Sequence, residues 1–329
     1  MVNSDPVTAG DLAGPRPVVA PSASSGSTYA LRDLVTLTKP RITVIVIATC
    51  AAGMAIAPVR IAGSVATLAL LGTGLIVASA NVLNMWWERD TDGLMARTRE
   101  RPLPAGRMAP DVALFFGLAL GASSIPMLVA VHAVTAVLGL LALVTYVLAY
   151  TPLKRHTSLA LWVGAVPGAM PPLMGWTSAT GSLCNWPTHG LGTRISHASF
   201  AGMGGLLLFL FLFAWQLPHF NAIALFRADD YAKAGLKVVS VQRGARAAKR
   251  QIAGYSVLLV GVSAALAAAR VAGLAFELST FTLGLLFLAL AASGFRARAG
   301  AGWAKAVFAY SIVYLTLLLA ILVVDRNGS

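Results

Sequence analysis

Asn84-Met-Trp-Trp-Glu88-Arg-Asp90-Thr-Asp92 closes an otherwise apolar run from Ile61 to Trp87 and continues into Gly-Leu-Met-Ala-Arg97-Thr-Arg99-Glu-Arg101-Pro-Leu-Pro. Asn84, Glu88 and Asp92 recur at i, i+4 and i+8, so at about 3.6 residues per turn they share one narrow stripe of a helix while Asp90 points elsewhere. Carboxylates beside a membrane-spanning segment are costly and tend to mark an ion or substrate path. An oxygen-rich stripe suits a hard divalent cation, above all Mg²⁺, which keeps some waters and shares its remaining positions with a substrate phosphate. The arginines that come next, Arg97, Arg99, Arg101 and Arg107, fit two readings equally. They hold phosphate oxygens by charge-assisted hydrogen bonds, or they flank a span at its cytoplasmic end.

Outward from this stretch the chain is hydrophobic in 57% of its 329 residues and charged in only 11%, which excludes a soluble domain of this length. A scan for apolar runs of about 20 residues expects nine spans, near 41–57, 64–87, 111–130, 133–151, 159–178, 200–225, 252–271, 274–294 and 303–324. Alternating the loops between two sides gathers the basic residues on one, leaving only Arg60, Arg194, Arg270 and Arg326 on the other. The positive-inside rule then expects a cytoplasmic N-terminus, an outside C-terminus and a carboxylate stripe at the cytoplasmic face. The net charge of +13 reads as topology and contact with anionic lipid rather than nucleic-acid binding.

Residues 1–30, rich in Pro, Ser, Ala and Gly, are expected to form a disordered cytoplasmic tail ahead of one transmembrane domain spanning 31–326. The tail has no signal-peptide core, and a bacterial inner membrane is the simplest address. Cys50 and Cys184 lie too far apart in this topology to pair, and neither has a partner at metal-ligand spacing. The fifth span contains Gly164-Ala-Val-Pro167-Gly168-Ala-Met-Pro171-Pro172-Leu-Met-Gly175-Trp176, and its small residues are expected to admit close approach of another helix or a flat ligand. Residues 179–199 read as an outside surface loop.

A second polar group closes the sixth span: Trp215-Gln216-Leu-Pro218-His219-Phe220-Asn221, then Asp229-Asp230-Tyr231-Ala-Lys233-Ala-Gly235-Leu-Lys237. The acidic pair repeats the first stripe in kind and depth. Two acidic groups on two helix ends, each followed by cations, make a clamp for a diphosphate, with metal and cations neutralising the charge that grows on a leaving group. Tyr146 to Lys154-Arg155-His156 forms an aromatic and basic edge on the same side, equally consistent with an interfacial belt.

The run from Asn84 to Pro104 resembles the signature of the protohaem IX farnesyltransferases (haem O synthases), within the UbiA-type superfamily of intramembrane prenyltransferases. Trp215-Gln-Leu-Pro-His219-Phe, Asp229-Asp230-Tyr-Ala-Lys-Ala-Gly and Pro171-Pro172-Leu-Met-Gly175-Trp176 are similar to further marks of that branch and occur in the same order. The resemblance implies an all-α bundle of about nine transmembrane helices around a central cavity. It implies transfer of a farnesyl group from farnesyl diphosphate to a vinyl group of haem B, with addition of water, for haem-copper oxidase biogenesis. Mg²⁺ would be held by Asn84, Glu88, Asp92, Asp229 and Asp230. Arg97, Arg101, Lys154, Arg155, Lys233 and Lys237 become diphosphate ligands, and Gln216 and His219 contact haem or order the attacking water. A haem A synthase or oxidase-assembly partner is a further implication. Prenylation of a quinone precursor or chlorophyllide is the alternative within enzymes. A transporter is disfavoured by the near absence of charge from the last three spans.

Overall fold

The computed structural model describes residues 31–184, 202–296 and 299–326, and among these every regular element is a helix. The expected N-terminal tail and most of the 179–199 loop lie outside the described residues. The helices of six residues or more are α1 (Leu31–Leu37), α2 (Pro40–Ala55), α3 (Gly63–Gly93), α4 (Pro110–Val131), α5 (Ala133–Leu153), α6 (Ala160–Thr180), α7 (Gly204–Phe226), α8 (Ala228–Lys233), α9 (Gly244–Ala268), α10 (Leu274–Ser293) and α11 (Ala301–Asp325). Pro40 and Pro110 open α2 and α4, where a missing N–H removes no intrahelical bond.

Seven of these helices are long and apolar enough to cross a membrane, or eight when the bent pair α1–α2 is taken as one span. The nine expected spans are not reached because α6, with its prolines, glycines and hydroxyl residues, is less apolar than the other long helices. Its residues Ala169 to Ser178 are all buried. A helix surrounded by protein need not match lipid, so Pro, Gly, Thr and Ser are tolerated there.

Burial shows α6 to be the seam of the bundle. On one side Ala169 and Trp176 join a cluster with Phe211 of α7, Leu259 of α9, Phe287 of α10 and Tyr314 of α11. On the other, Met170, Leu173 and Met174 join Ile76 of α3, Leu128 of α4 and Leu138 of α5. Lipid tails are as apolar as leucine, so helix association in a membrane rests on close packing and interhelical hydrogen bonds. Both are present. The Ser79 hydroxyl donates to Gly117 O at 2.7 Å, the Tyr314 hydroxyl to Ser263 Oγ at 2.8 Å, and Thr135 and Thr177 share a bond of 2.9 Å.

The glycines set the closest approaches. A methyl group added at Gly53 of α2 would overlap the Pro172 carbonyl, and one added at Gly175 of α6 would overlap the Cys50 carbonyl. Gly204 and Gly205 likewise accommodate the fully buried ring of Trp176. The close approach expected of this glycine-rich segment is therefore helix against helix. Cys50 and Cys184 are both free.

The α3 helix has 31 residues, so at about 1.5 Å per residue it is roughly 15 Å longer than a hydrocarbon core of about 30 Å. Its last turns, carrying the polar stripe, extend beyond the apolar slab. The loops after α3, α5 and α7 meet at that end. Met95 packs with Ala234 and Leu236, and the Lys237 N–H donates to Lys154 O at 2.9 Å.

Gly175→Ala forces the α2 and α6 backbones apart and should destabilise the detergent-solubilised chain by about 1–3 kcal/mol. Thermal unfolding reads this directly, and an unchanged midpoint would contradict backbone contact between the two helices.

Candidate active site

Asn84, Glu88 and Asp92 lie on one stripe of α3, each less than a tenth exposed. Carboxylates this dry need partners. Lys154, in the first turn beyond α5, brings its Nζ to 2.6 Å from Glu88 Oε1, and Arg101, in the loop after α3, brings Nη1 to 2.6 Å from Asp92 Oδ2. Asn84 connects the pair to other elements. Its Nδ2 donates to Glu88 Oε2 at 3.0 Å and to Thr151 Oγ1 at 3.1 Å, and its Oδ1 accepts from Lys39 Nζ at 3.4 Å.

Three of these residues owe their positions to irregular backbone. Residues Thr145–Tyr150 form a π-helical turn within α5, and the Thr151 hydroxyl donates to Tyr146 O at 2.8 Å beside it. Such turns shift the register of the residues beyond them, here presenting Thr151 and then Lys154 to the stripe. Lys39 occupies the break between α1 and α2, which meet at 49°. It adopts the left-handed conformation with φ 49°, since the following proline disfavours the right-handed helical region, at a cost of about 1–3 kcal/mol. Sequence reasoning marks neither Lys39 nor Thr151. Lys39 reads as a flank of the first span, and Thr151 as part of an aromatic edge; a lysine directly before a span-opening proline is the available signal.

Burial opposes the charge on Lys154, but neighbouring Tyr150 and Glu88 outweigh it, so its pKa stands above the ordinary lysine value. The ammonium also sits 4.8 Å from the Tyr150 ring centroid. Tyr231 of α8 lies close enough to interact with Tyr150, Arg97 and Lys154, and burial raises its pKa first among those influences.

The other predicted residues separate into three groups. Asp229 and Asp230 stand in the first turn of α8, Asp229 exposed and Asp230 held by Arg227 at 3.4 Å. Among the described residues no three Asp, Glu, His or Cys side chains converge as a metal site, so the acidic pair is not gathered with Glu88 and Asp92. Arg97, Arg155, Lys233 and Lys237 are exposed around the same end. Gln216 and His219 are buried in α7 but face different neighbours. Gln216 Nε2 donates to Ala165 O of α6 at 3.1 Å. His219 Nδ1 lies 2.7 Å from Ser311 Oγ of α11, with its ring stacked 4.5 Å from Trp215. Because Ser311 Oγ donates to Phe308 O at 2.7 Å, it accepts from His219, which assigns the ring proton to Nδ1.

The stripe thus combines hard oxygen donors with cationic side chains brought from other segments, a chemistry suited to an anionic group. The chain belongs to the UbiA prenyltransferase family, whose model matches residues 46–313. It is 45% identical over 295 residues to the protoheme IX farnesyltransferase of Myxococcus xanthus, covering 89% of this chain and 94% of that one. Among solved structures, digeranylgeranylglyceryl phosphate synthase matches with a TM-score of 0.73 at 14% identity, over 91% of this chain and 99% of that one. A UbiA homologue from Archaeoglobus fulgidus bound to GPP and Mg²⁺ matches with a TM-score of 0.62 at 16% identity, over 88% and 99%. At such identities the likeness is one of fold, and it agrees with the all-helical prenyltransferase architecture expected from the sequence.

Removing one partner of a buried ion pair strands the other. Lys154→Met should therefore destabilise the folded chain by about 3–5 kcal/mol, and adding Glu88→Gln should recover most of that loss. Denaturant unfolding of both variants tests the pair; additive losses would mean that the two side chains are not coupled.

Proposed function

We propose that this chain transfers a farnesyl group from farnesyl diphosphate to a vinyl group of protohaem IX, with addition of water, giving haem O and diphosphate. The observation that carries the reading is the paired stripe, Glu88 with Lys154 and Asp92 with Arg101. It occurs in a chain that covers 94% of a relative named for that reaction.

The donor set fits Mg²⁺. Asn84, Glu88 and Asp92 offer an amide and two carboxylates, all hard oxygens, and Mg²⁺ ordinarily takes one or two carboxylates with waters and substrate phosphates. When bound there it would supply positive charge against the developing charge of the departing diphosphate. The Archaeoglobus homologue, with GPP and Mg²⁺, supports this assignment. Asp229 and Asp230 of the second loop are assigned to the same clamp.

Lys154 and Arg101 neutralise the carboxylates and are positioned to share their charge with diphosphate oxygens, while Lys39 steadies the Asn84 carbonyl. Arg97, Arg155, Lys233 and Lys237 ring the entrance and draw the anion in. Charge on these groups favours cleavage of the allylic C–O bond, because they are held in place before charge develops. The vinyl carbon of haem attacks the farnesyl cation, water captures the resulting cation, and one proton is released. His219, with its proton fixed on Nδ1, leaves Nε2 as an acceptor for haem or for that water.

In the same reading the basic end faces the cytoplasm of a bacterial inner membrane, an orientation that the distribution of Lys and Arg supports under the positive-inside rule. Residues 31–326 form one catalytic domain preceded by a tail, and a haem-modifying or oxidase-assembly partner would receive the product.

Membranes expressing the chain in a host deprived of its own haem farnesylation should contain haem O by mass spectrometry; haem B alone, with expression confirmed, would sink the assignment. Asp92→Asn should lower turnover by about 100-fold or more, the scale of losing one preorganised electrostatic contact, while membrane insertion is retained. Chelation should stop the reaction, and added Mg²⁺ should restore it.

A further inference from the structure

At the end of the bundle opposite the carboxylate stripe, a groove of about 490 Å³ opens between α9 and α10 beside the turn that joins them. Its wall is apolar: Val260 and Ala264 on α9 face Phe281 and Leu285 on α10. Phe281 and Leu285 are 67% and 51% exposed, so the groove faces the surroundings of the bundle rather than its core. Arg270 and Glu277 also line it.

Asp325 of α11 reaches the same turn, where its Oδ2 accepts from the Phe276 N–H at 2.8 Å. Arg270 and Glu277 are the charged side chains of the α9–α10 turn, and among the described residues neither forms a hydrogen bond or ion pair through its side chain. Glu277 sits in the first turn of α10, where a carboxylate is favoured by the helix dipole, and that alone would explain its presence. The dipole does not explain an arginine on the same groove. Nor does it explain Thr280, which is 3% exposed, lines the groove and has an Oγ1 without a partner. Glu277, Phe281 and Leu285 follow one another at i, i+4 and i+8, so the carboxylate stands directly above the apolar wall. The groove is an amphiphile-shaped receptor: opposite charges at its mouth, a lone hydroxyl just inside and an apolar floor beyond.

We propose that this groove binds a zwitterionic phospholipid whose headgroup carries a primary ammonium, of the phosphatidylethanolamine class. The phosphodiester pairs with the Arg270 guanidinium, whose fork matches phosphate oxygens. The ammonium donates to Glu277, Thr280 offers its hydroxyl to a glycerol or ester oxygen, and an acyl chain lies along Val260, Ala264 and Leu285. An anionic lipid satisfies Arg270 but leaves Glu277 opposed to like charge. A quaternary ammonium has no N–H to donate, and its usual recognition through an aromatic cage finds, among the described residues lining the groove, the single ring of Phe281.

Native mass spectrometry of the full-length chain, delipidated and titrated with dioleoyl phosphatidylethanolamine, phosphatidylcholine or phosphatidylglycerol, reads the selectivity. One bound phosphatidylethanolamine should be retained at least about tenfold better than either competitor, a difference of about 1.4 kcal/mol. Glu277→Gln should erase the preference over phosphatidylglycerol, and Arg270→Gln should lose the bound lipid. Both residues lie at the surface, and unfolding midpoints without lipid establish that the variants fold. Equal retention of the three lipids, or a preference indifferent to Glu277→Gln, would overturn the proposal and reduce the groove to a place for unselected annular lipid.

Discussion

Two carboxylates held almost dry at the end of one helix constrain the rest of this molecule. Glu88 and Asp92 are each less than a tenth exposed, and an isolated ionised carboxylate in such surroundings is unfavourable by several kcal/mol even after relaxation. Compensation comes from residues distant in sequence. Lys154 arrives from α5, Arg101 from the loop after α3 and Lys39 from the break between α1 and α2, the last reaching the stripe through Asn84. A π-helical turn and a left-handed lysine are local departures from regular helix that serve this one need. The folding of that end and its electrostatics are the same problem.

Ion pairs of this kind are poor sources of net stability, because desolvation offsets much of their attraction. Their persistence at one end of a largely apolar bundle is better understood through what they prepare. Glu88 and Asp92 are each met by a cation, Lys154 and Arg101, so the charges at this end are fixed before any ligand arrives. Preorganisation avoids the reorganisation that water would require. The second loop meets this end of the bundle through its backbone and its apolar packing. The Lys237 N–H on Lys154 O and the packing of Met95 on Leu236 couple the position of Lys154 to the segment that carries Asp229 and Asp230.

The stripe itself was legible because i, i+4, i+8 spacing is a local property and a helix converts it into proximity without further information. The membrane character was legible for the same reason, composition being additive along the chain. Nine spans were not reached, since α6 takes its environment from neighbours rather than lipid, and hydropathy cannot distinguish a buried seam from a poor span. Lys39 escaped because the rule that assigns basic flanks to topology already accounted for it. His219 illustrates the remaining gap. Its polar setting at the end of α7 was visible, but Ser311, which fixes the tautomer, lies 92 residues away, and no local pattern connects them.

The seam helix and the acidic stripe are linked by more than shared membership of a bundle. Glycines at 53 and 175 bring α2 against α6 at backbone distance, and α2 begins one residue after Lys39. The depth at which α2 seats therefore sets how far Lys39 reaches toward Asn84. A proline- and glycine-rich helix that looks like an accommodation for a flat ligand is, on this geometry, the surface that fixes the position of a cation at the far end of its neighbour. Tight backbone packing suits that role, because interiors at crystalline density resist displacement.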